Sequence, residues 1–446
     1  MPSTLEDLLT GARQTARRRR VLACMAGCAL LLCALYVYLV RGGHHAHALA
    51  LSTKAPYPRP DPAQGRLDRA DMELVQVQFI MRHGARYPSE SGMDAIGELY
   101  DLLRDRVPAD WMDADLVAAE KTELLADRGR LETVELARRL AARYPEVLGA
   151  DRAGLLQFIS SEFQRTVATA EAFRGAVSTG ALQPVVVVPA KDDAVLAMKF
   201  ICPRWVALKP QAREQTQAEH AVFDAAYGQE LRAAVARRLR VGADRLTVDT
   251  VRTIHELCGY EMSLYGRGDR WCTLLDERTA ALAELRNDIE YTRVYGPYGD
   301  DINRHIACAL VTDVARDVDA ALSAPAGRAA SVFRFGHSET IMFASALLRA
   351  DRALGAAQPP VAGNMSYADS LRRGFRSTAI SPFSANWGLE VYKDRRHARP
   401  FFRLLLNERP VRLPACPDAL CPLSVLRSII SADVGCNYTQ MCRSDT

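Results

Sequence analysis

With 446 residues, 49% apolar and 25% charged, the chain has a globular composition, which excludes general disorder and allows one large domain or two ordinary ones. The formal charge is +4, and five arginines (Arg13 and Arg17 to Arg20) less Glu6 and Asp7 supply +3 of it, so the remainder gives no electrostatic footprint for nucleic acid. Residues 1–20 are polar and end in four arginines, and Val21 to Val40 is twenty residues without a charge, long enough to cross a bilayer as one helix. The basic flank assigns 1–20 to the cytosol and sends the rest of the chain across. An uncleaved transmembrane signal-anchor at 21–40 is therefore expected. A cleaved secretory leader is the alternative, because Ala46-His47-Ala48 and Ala48-Leu49-Ala50 offer small-residue sites. Residues 41–71 read as a linker, with Pro56, Pro58, Pro60 and Pro62 favouring an extended spacer. His44, His45 and His47 within it lack a carboxylate or Cys framework for a metal.

The first strong signal is LVQVQFIMRHGARYPSE, Leu74 to Glu90. Val75, Val77 and Phe79 alternate with Gln76 and Gln78, the period of a strand. The apolar run then gives way to Arg82, His83 and Arg86, with Gly84 allowing a close backbone approach and Pro88 stiffening the exit. Two guanidiniums and an imidazole at a strand end make a poor structural solution but a good oxyanion trap, since Arg matches phosphate oxygens with planar, bidentate donors. In open α/β sheets ligands lie beyond the carboxyl ends of strands, where this cluster falls.

Further along, Arg130 to Tyr144 has the spacing of an amphipathic helix ended by Pro145. Leu155 to Ser160 is a second candidate strand, followed by a helix with Arg165 near its start, where free amides also favour an anion. Pro184 to Pro189 is a third. Helix-forming segments dominate from Pro203 to Asp319, with a turn-rich break at Tyr295 to Asp301. Val332 to Phe335 is short and β-prone, Gly336 turns the chain, and a helix follows from Ile341, so His337 and Glu339 also arrive at a strand end. Trp387 to Lys393 and Phe401 to Leu406 read as late strands, with Asn407 and Glu408 beginning a turn.

Three cysteines lie in the apolar segment. The other eight, from Cys202 to Cys442, form an even set that suits an oxidising compartment and up to four disulfides. Asn364-Met365-Ser366 and Asn437-Tyr438-Thr439 are glycosylation sequons that fit the same secretory route.

RHGARYP resembles the signature of the histidine acid phosphatases, a branch of the histidine phosphatase superfamily; Ser89 stands where Thr often follows the Pro. The resemblance makes His83 the nucleophile that forms a phosphohistidine. Arg82, Arg86 and Arg165 become phosphate-binding residues, His337 a second phosphate contact in the catalytic set, and Glu339 the proton donor. The spacing of His337-Ser338-Glu339 is similar to the HAE pattern of one subgroup, the multiple inositol polyphosphate phosphatases, rather than the HD of many acid phosphatases. Trp271, Cys272, Asn287, Asp288, Tyr298 and Cys308 hold places that look architectural in that subgroup, and related phytases imply a Cys258–Cys272 pair.

The expected fold is α/β: a central mixed sheet flanked by helices with a mostly helical inserted domain, plus the N-terminal transmembrane helix. The phosphatase domain would be 72–446, with an α/β core at about 72–202 and 320–446 and the insert at about 203–319. The expected activity is phosphomonoester hydrolysis without metal or cofactor. Inositol polyphosphates are the implied substrates, with 2,3-bisphosphoglycerate in some members, and Lys191 and Lys199 are candidate contacts for additional phosphates. The domain would face a secretory lumen or the exterior, held to the membrane by 21–40. A broad acid phosphatase, and a catalytically inactive surface protein on the same scaffold, are the competing expectations.

Overall fold

The strand carrying the first motif is the middle of a mixed sheet. The computed structural model describes residues 49–58, 67, 69–349, 360–416, 418–432 and 436–443. The expected transmembrane helix at 21–40 and the cytosolic segment 1–20 lie outside these residues. Among the described residues no helix is long and apolar enough to cross a membrane. The strands are β1 (Met72–Arg82), β2 (Leu156–Ser161), β3 (Val185–Val188), β4 (Ser331–Gly336), β5 (Asn386–Asp394), β6 (Pro400–Leu406), β7 (Arg409–Val411) and β8 (Cys421–Pro422). Their order in the sheet is β3-β2-β4-β1-β5-β6-β7, with β8 also against β6. Strands β3, β2, β4 and β1 are parallel, and β5 turns the rest antiparallel. The positive φ of Asn407 (51°) and Glu408 (64°) makes the tight turn between β6 and β7, in the left-handed conformation that two-residue hairpins favour.

The main helices are α1 (Glu90–Leu103), α2 (Asp127–Arg143), α3 (Gln164–Val177), α4 (Pro203–Leu239), α5 (Val248–Tyr260), α6 (Glu277–Val294), α7 (Cys308–Ser323) and α8 (Ser338–Leu347). One face of β1 buries Val77, Phe79 and Met81 against Phe158, Phe173, Phe333, Phe335, Leu136 and Leu140. The other face carries Gln76 and Gln78, which are equally buried because both side chains are hydrogen-bonded. Gln76 donates to the Ala330 carbonyl at 2.6 Å, and Gln78 donates to the Val314 carbonyl at 3.0 Å. Fully buried Arg334 donates to Gln78 (2.8 Å) and pairs with Asp313 (2.7 Å) and Asp317 on α7. Hydrogen bonding thus lets an alternating sequence serve as a central strand.

Among the described residues four disulfides link Cys202–Cys442, Cys258–Cys272, Cys308–Cys436 and Cys416–Cys421. The second is the pair implied by the resemblance.

The linker assignment needs correction at its centre. Leu51, Ser52, Thr53 and Ala55 are buried, and Ser52 takes a left-handed φ of 53° to donate its amide to Thr378 Oγ1 at 2.7 Å. The run of prolines obscures an apolar segment (Ala50, Leu51, Ala55, Tyr57) that packs on the domain.

A buried ionic cluster holds the other side of that contact. Arg373 reaches Asp288 (2.6 Å) and Glu284 (2.9 Å) of α6, and all three side chains are fully buried. The Ser377 and Thr378 amides donate to the same two carboxylates. Breaking a buried pair leaves uncompensated charge, so Arg373→Leu should lose about 3–5 kcal/mol of stability. Urea unfolding measures this, and an unchanged midpoint would mean that the carboxylates are neutralised some other way.

Candidate active site

Parallel pairing of β1 with β4 sets Arg82 opposite Gly336, so the next residues, His83 and His337, leave the sheet side by side. The His83 amide donates to the Gly336 carbonyl at 3.1 Å, and the two imidazole centroids are 6.0 Å apart. Strand β2 pairs with β4 on its far side and ends at Ser161, after which α3 begins at Gln164 with Arg165 as its second residue. Three parallel strand ends therefore deliver His83, Arg165 and His337 to one place. Gly84 serves packing rather than a ligand: a Cβ there would sit 2.5 Å from the Gly129 carbonyl oxygen, so the turn after β1 can lie directly on α2 only without one.

Each guanidinium is held from behind. Arg82 is buried, with one terminal nitrogen donating to the Thr53 and Ser381 carbonyls, both at 2.7 Å, and its Cζ 4.4 Å from the centre of the Phe383 ring. Glu123 braces the other two, pairing with Arg165 at 3.1 Å and Arg86 at 3.5 Å. The Nε atoms of Arg82, Arg86 and Arg165 are buried without a hydrogen-bond partner. Clustered cations with unspent donors are a site that an anion completes.

His83 Nδ1 lies 2.9 Å from the Gly84 carbonyl oxygen, which can only accept, so Nδ1 carries the proton and Nε2 keeps its lone pair. Burial, then the charges of Arg82, Arg86 and Arg165, push the imidazole well below its ordinary 6.5. It stays neutral in acid, as a nucleophile must. His337 caps α8: its side chain accepts from the Thr340 amide while its own amide donates to Thr340 Oγ1 at 3.1 Å. Its Nε2 lies 3.2 Å from Ser161 Oγ, whose proton is directed to Thr166 Oγ1. The Phe163 ring meets the His337 ring edge-on at 4.8 Å and Phe200 packs at 6.3 Å, walling this side from water. Burial lowers His337 to about 3.

Glu339 occupies the first turn of α8 and pairs with Lys199 Nζ at 2.5 Å. Burial alone would raise its carboxyl, but Lys199 and His337 outweigh that and hold it well below the usual range.

The model of the histidine phosphatase superfamily, branch 2, matches residues 73–407, a span that begins in β1 and closes after β6. The chain belongs to this superfamily. It is 29% identical to multiple inositol polyphosphate phosphatase 1 of Gallus gallus over 404 residues, covering 86% of this chain and 87% of that one. Its fold is similar to a solved multiple inositol polyphosphate phosphatase of Bifidobacterium longum in complex with inositol hexasulfate (TM-score 0.68, 16% identity, 86% and 98% of the two chains). It is also similar to a phytase from D. castellii (TM-score 0.70, 17% identity, 88% and 86% covered). As a member of the superfamily, this phosphatase is a phosphoric monoester hydrolase.

All six residues singled out from the sequence meet around the phosphatase's two histidines. Lys191 does not: it is exposed on a short turn after β3. Sequence reasoning missed Thr53 as the brace for Arg82 and Glu123 as the brace for Arg86 and Arg165. It also missed Lys54, whose ammonium is lowered by burial and feels Glu256, Arg86 and Arg82. Glu123 carries no motif, although its positive φ of 59° marks it in the structure as a residue held in a strained conformation.

Proposed function

We propose that this phosphatase removes phosphate from inositol polyphosphates through a phosphohistidine at His83. The observation that carries the reading is the gathering of three guanidiniums, each with an unpartnered Nε, around a neutral imidazole whose Nδ1 carries the proton and leaves Nε2 its lone pair. Arg82, Arg86 and Arg165 neutralise the phosphoryl oxygens and set phosphorus in line with His83. The Nε2–P bond forms as the ester P–O bond breaks, and His337 turns its Nε2–H from Ser161 Oγ to an equatorial oxygen while charge redistributes. Glu339 gives its proton to the departing alkoxide. It then takes a proton from the water that attacks phosphorus and breaks the N–P bond, restoring His83 and releasing inorganic phosphate.

The substrate class is supported by the Glu spacing after His337 and by the similarity to phosphatases named for inositol polyphosphates. The uncharged segment 21–40, four disulfides, and exposed Asn364 and Asn437 support a luminal or extracellular domain tethered by one span. Phosphate release should be measured from inositol hexakisphosphate, 2,3-bisphosphoglycerate, an alkyl monophosphate and an aryl monophosphate across pH. The expected result is the highest kcat/KM on inositol hexakisphosphate. Equal efficiency on the simple monoesters would make the chain a broad acid phosphatase instead, and no release from any would return it to an inactive surface protein.

A further inference from the structure

The proton donor just assigned is ionised and engaged in the free protein, which cannot be its working state. Its partner, Lys199, is unlike the other cations of the site. One terminal nitrogen of Arg82 donates to two backbone carbonyls, and Arg86 and Arg165 are braced by Glu123, whereas the Lys199 ammonium is bonded to the very carboxylate that must pick up a proton. We propose that Lys199 selects for substrates with a second phosphate beside the scissile one: that phosphate draws the ammonium off Glu339 and frees the acid to protonate the leaving oxygen. This rests on Glu339 acting as the acid.

The geometry favours such an exchange. Lys199 lies in a single turn, Met198–Phe200, whose backbone is pinned: Tyr438 donates to the Met198 carbonyl at 2.7 Å, and Cys202 is bonded to Cys442. The side chain can swing on four rotatable bonds while its root stays fixed. Its ammonium lies 4.8 Å from the Phe200 ring centre and 5.7 Å from that of Tyr295, faces that hold a cation moving between acceptors. Lys199 and Glu339 are 19% and 22% exposed, so the pair sits at the mouth of the site and an incoming phosphate can reach it.

Besides Lys199, five titratable groups face Glu339. His337 is on its own turn, Arg82 on β1, Arg165 on α3, Lys209 on α4, and the Tyr295 hydroxyl at the end of α6. Arg213 lies near Lys209, with Glu290 as the opposing charge. Positive charge thus continues from Lys199 onto α4 at Lys209 and Arg213. A bound polyanion acts twice on Glu339: it removes the closest cation and adds negative charge, and both changes favour the protonated carboxyl. A lone monophosphate leaves the ion pair in place.

The test is kcat/KM against pH for wild type and Lys199→Met, with inositol hexakisphosphate and glycerol 2-phosphate as the two substrates. On the polyphosphate, Lys199→Met should lose roughly 10- to 100-fold, the cost of one charge-assisted contact. On glycerol 2-phosphate it should gain activity, with the basic limb of the profile moving to higher pH, because Glu339 without its cation holds a proton further up the scale. A structural role for Lys199 would depress both substrates together and leave that limb where it was; either outcome overturns the proposal. Lys199→Gln supplies the same comparison if the Met variant is unstable. Wild type that hydrolyses neither substrate would sink the phosphatase reading itself, whereas wild type active on both with a ratio unmoved by substitution sinks only the role of Lys199.

Discussion

His83→Ala should release phosphate roughly 10⁴- to 10⁶-fold more slowly than the parent, the scale on which a nucleophile that works as one unit with its partners is lost. It should also trap no phosphate on the protein. Wild type mixed with labelled substrate and quenched in alkali, where phosphohistidine survives, should carry label that acid then strips off. Substituting His83 removes the attacking nitrogen but leaves Arg82, Arg86 and Arg165 in place, so substrate still binds and the loss appears in the bond-forming step. A His337→Ala control keeps the nucleophile and should still form phosphoenzyme, only more slowly. An acid-labile phosphoenzyme persisting in His83→Ala would assign the chemistry to another residue. The pH dependence has a definite sign. His83 titrates well below 6.5 because burial and three guanidiniums oppose its protonation, so the neutral form persists as pH falls. The rate of phosphoenzyme formation should therefore show no loss on descending through 6.5, the ordinary histidine value.

How much of this was readable in advance depended on whether the information was local. Val77, Phe79 and the motif after them announce a strand ending in an anion site, and Gly336-His337 repeats the design with a helix behind it, so both halves of the site were legible at their own positions. Parallel pairing of β1 with β4 brings them together across more than two hundred residues, and only the resemblance to a known family foretold it. The supports were not legible at all. Glu123 reaches two arginines from a loop without pattern, and Thr53 lends Arg82 a backbone carbonyl, a group every residue possesses. The segment around Leu51 misled because its prolines carry a strong local signal, while its burial depends on Ser377 and Thr378 more than three hundred residues away. Lys199 was visible as a cation available to phosphate. Its hold on Glu339 was not, because the pairing depends on where the turn at Met198–Phe200 is anchored.

Glu339→Ala should divide substrates by leaving group rather than by affinity. An inositol or alkyl alkoxide is a strong base and needs a proton as the P–O bond breaks, so the first step on these esters should slow by about 100- to 10,000-fold, the usual range for general acid catalysis. A nitrophenolate leaves without help, so its transfer to His83 should slow far less. The comparison must be made on the first turnover. Glu339 is also assigned to activating water, so in the variant the phosphoenzyme should accumulate after an aryl substrate, giving a burst of phenolate that approaches one per active site and is followed by slow release of phosphate. With the alkyl ester no burst should appear, because the first step has become the slow one. Loss of Lys199's partner adds a second effect of opposite sign on binding: the freed ammonium can stay on the substrate, so KM for a polyphosphate should fall even as kcat collapses. Equal slowing of the first step on both ester classes would remove Glu339 as the acid. The proton would then have to come from another group facing the leaving oxygen, and Lys199, already within 2.5 Å of the same carboxylate, would be the first to test.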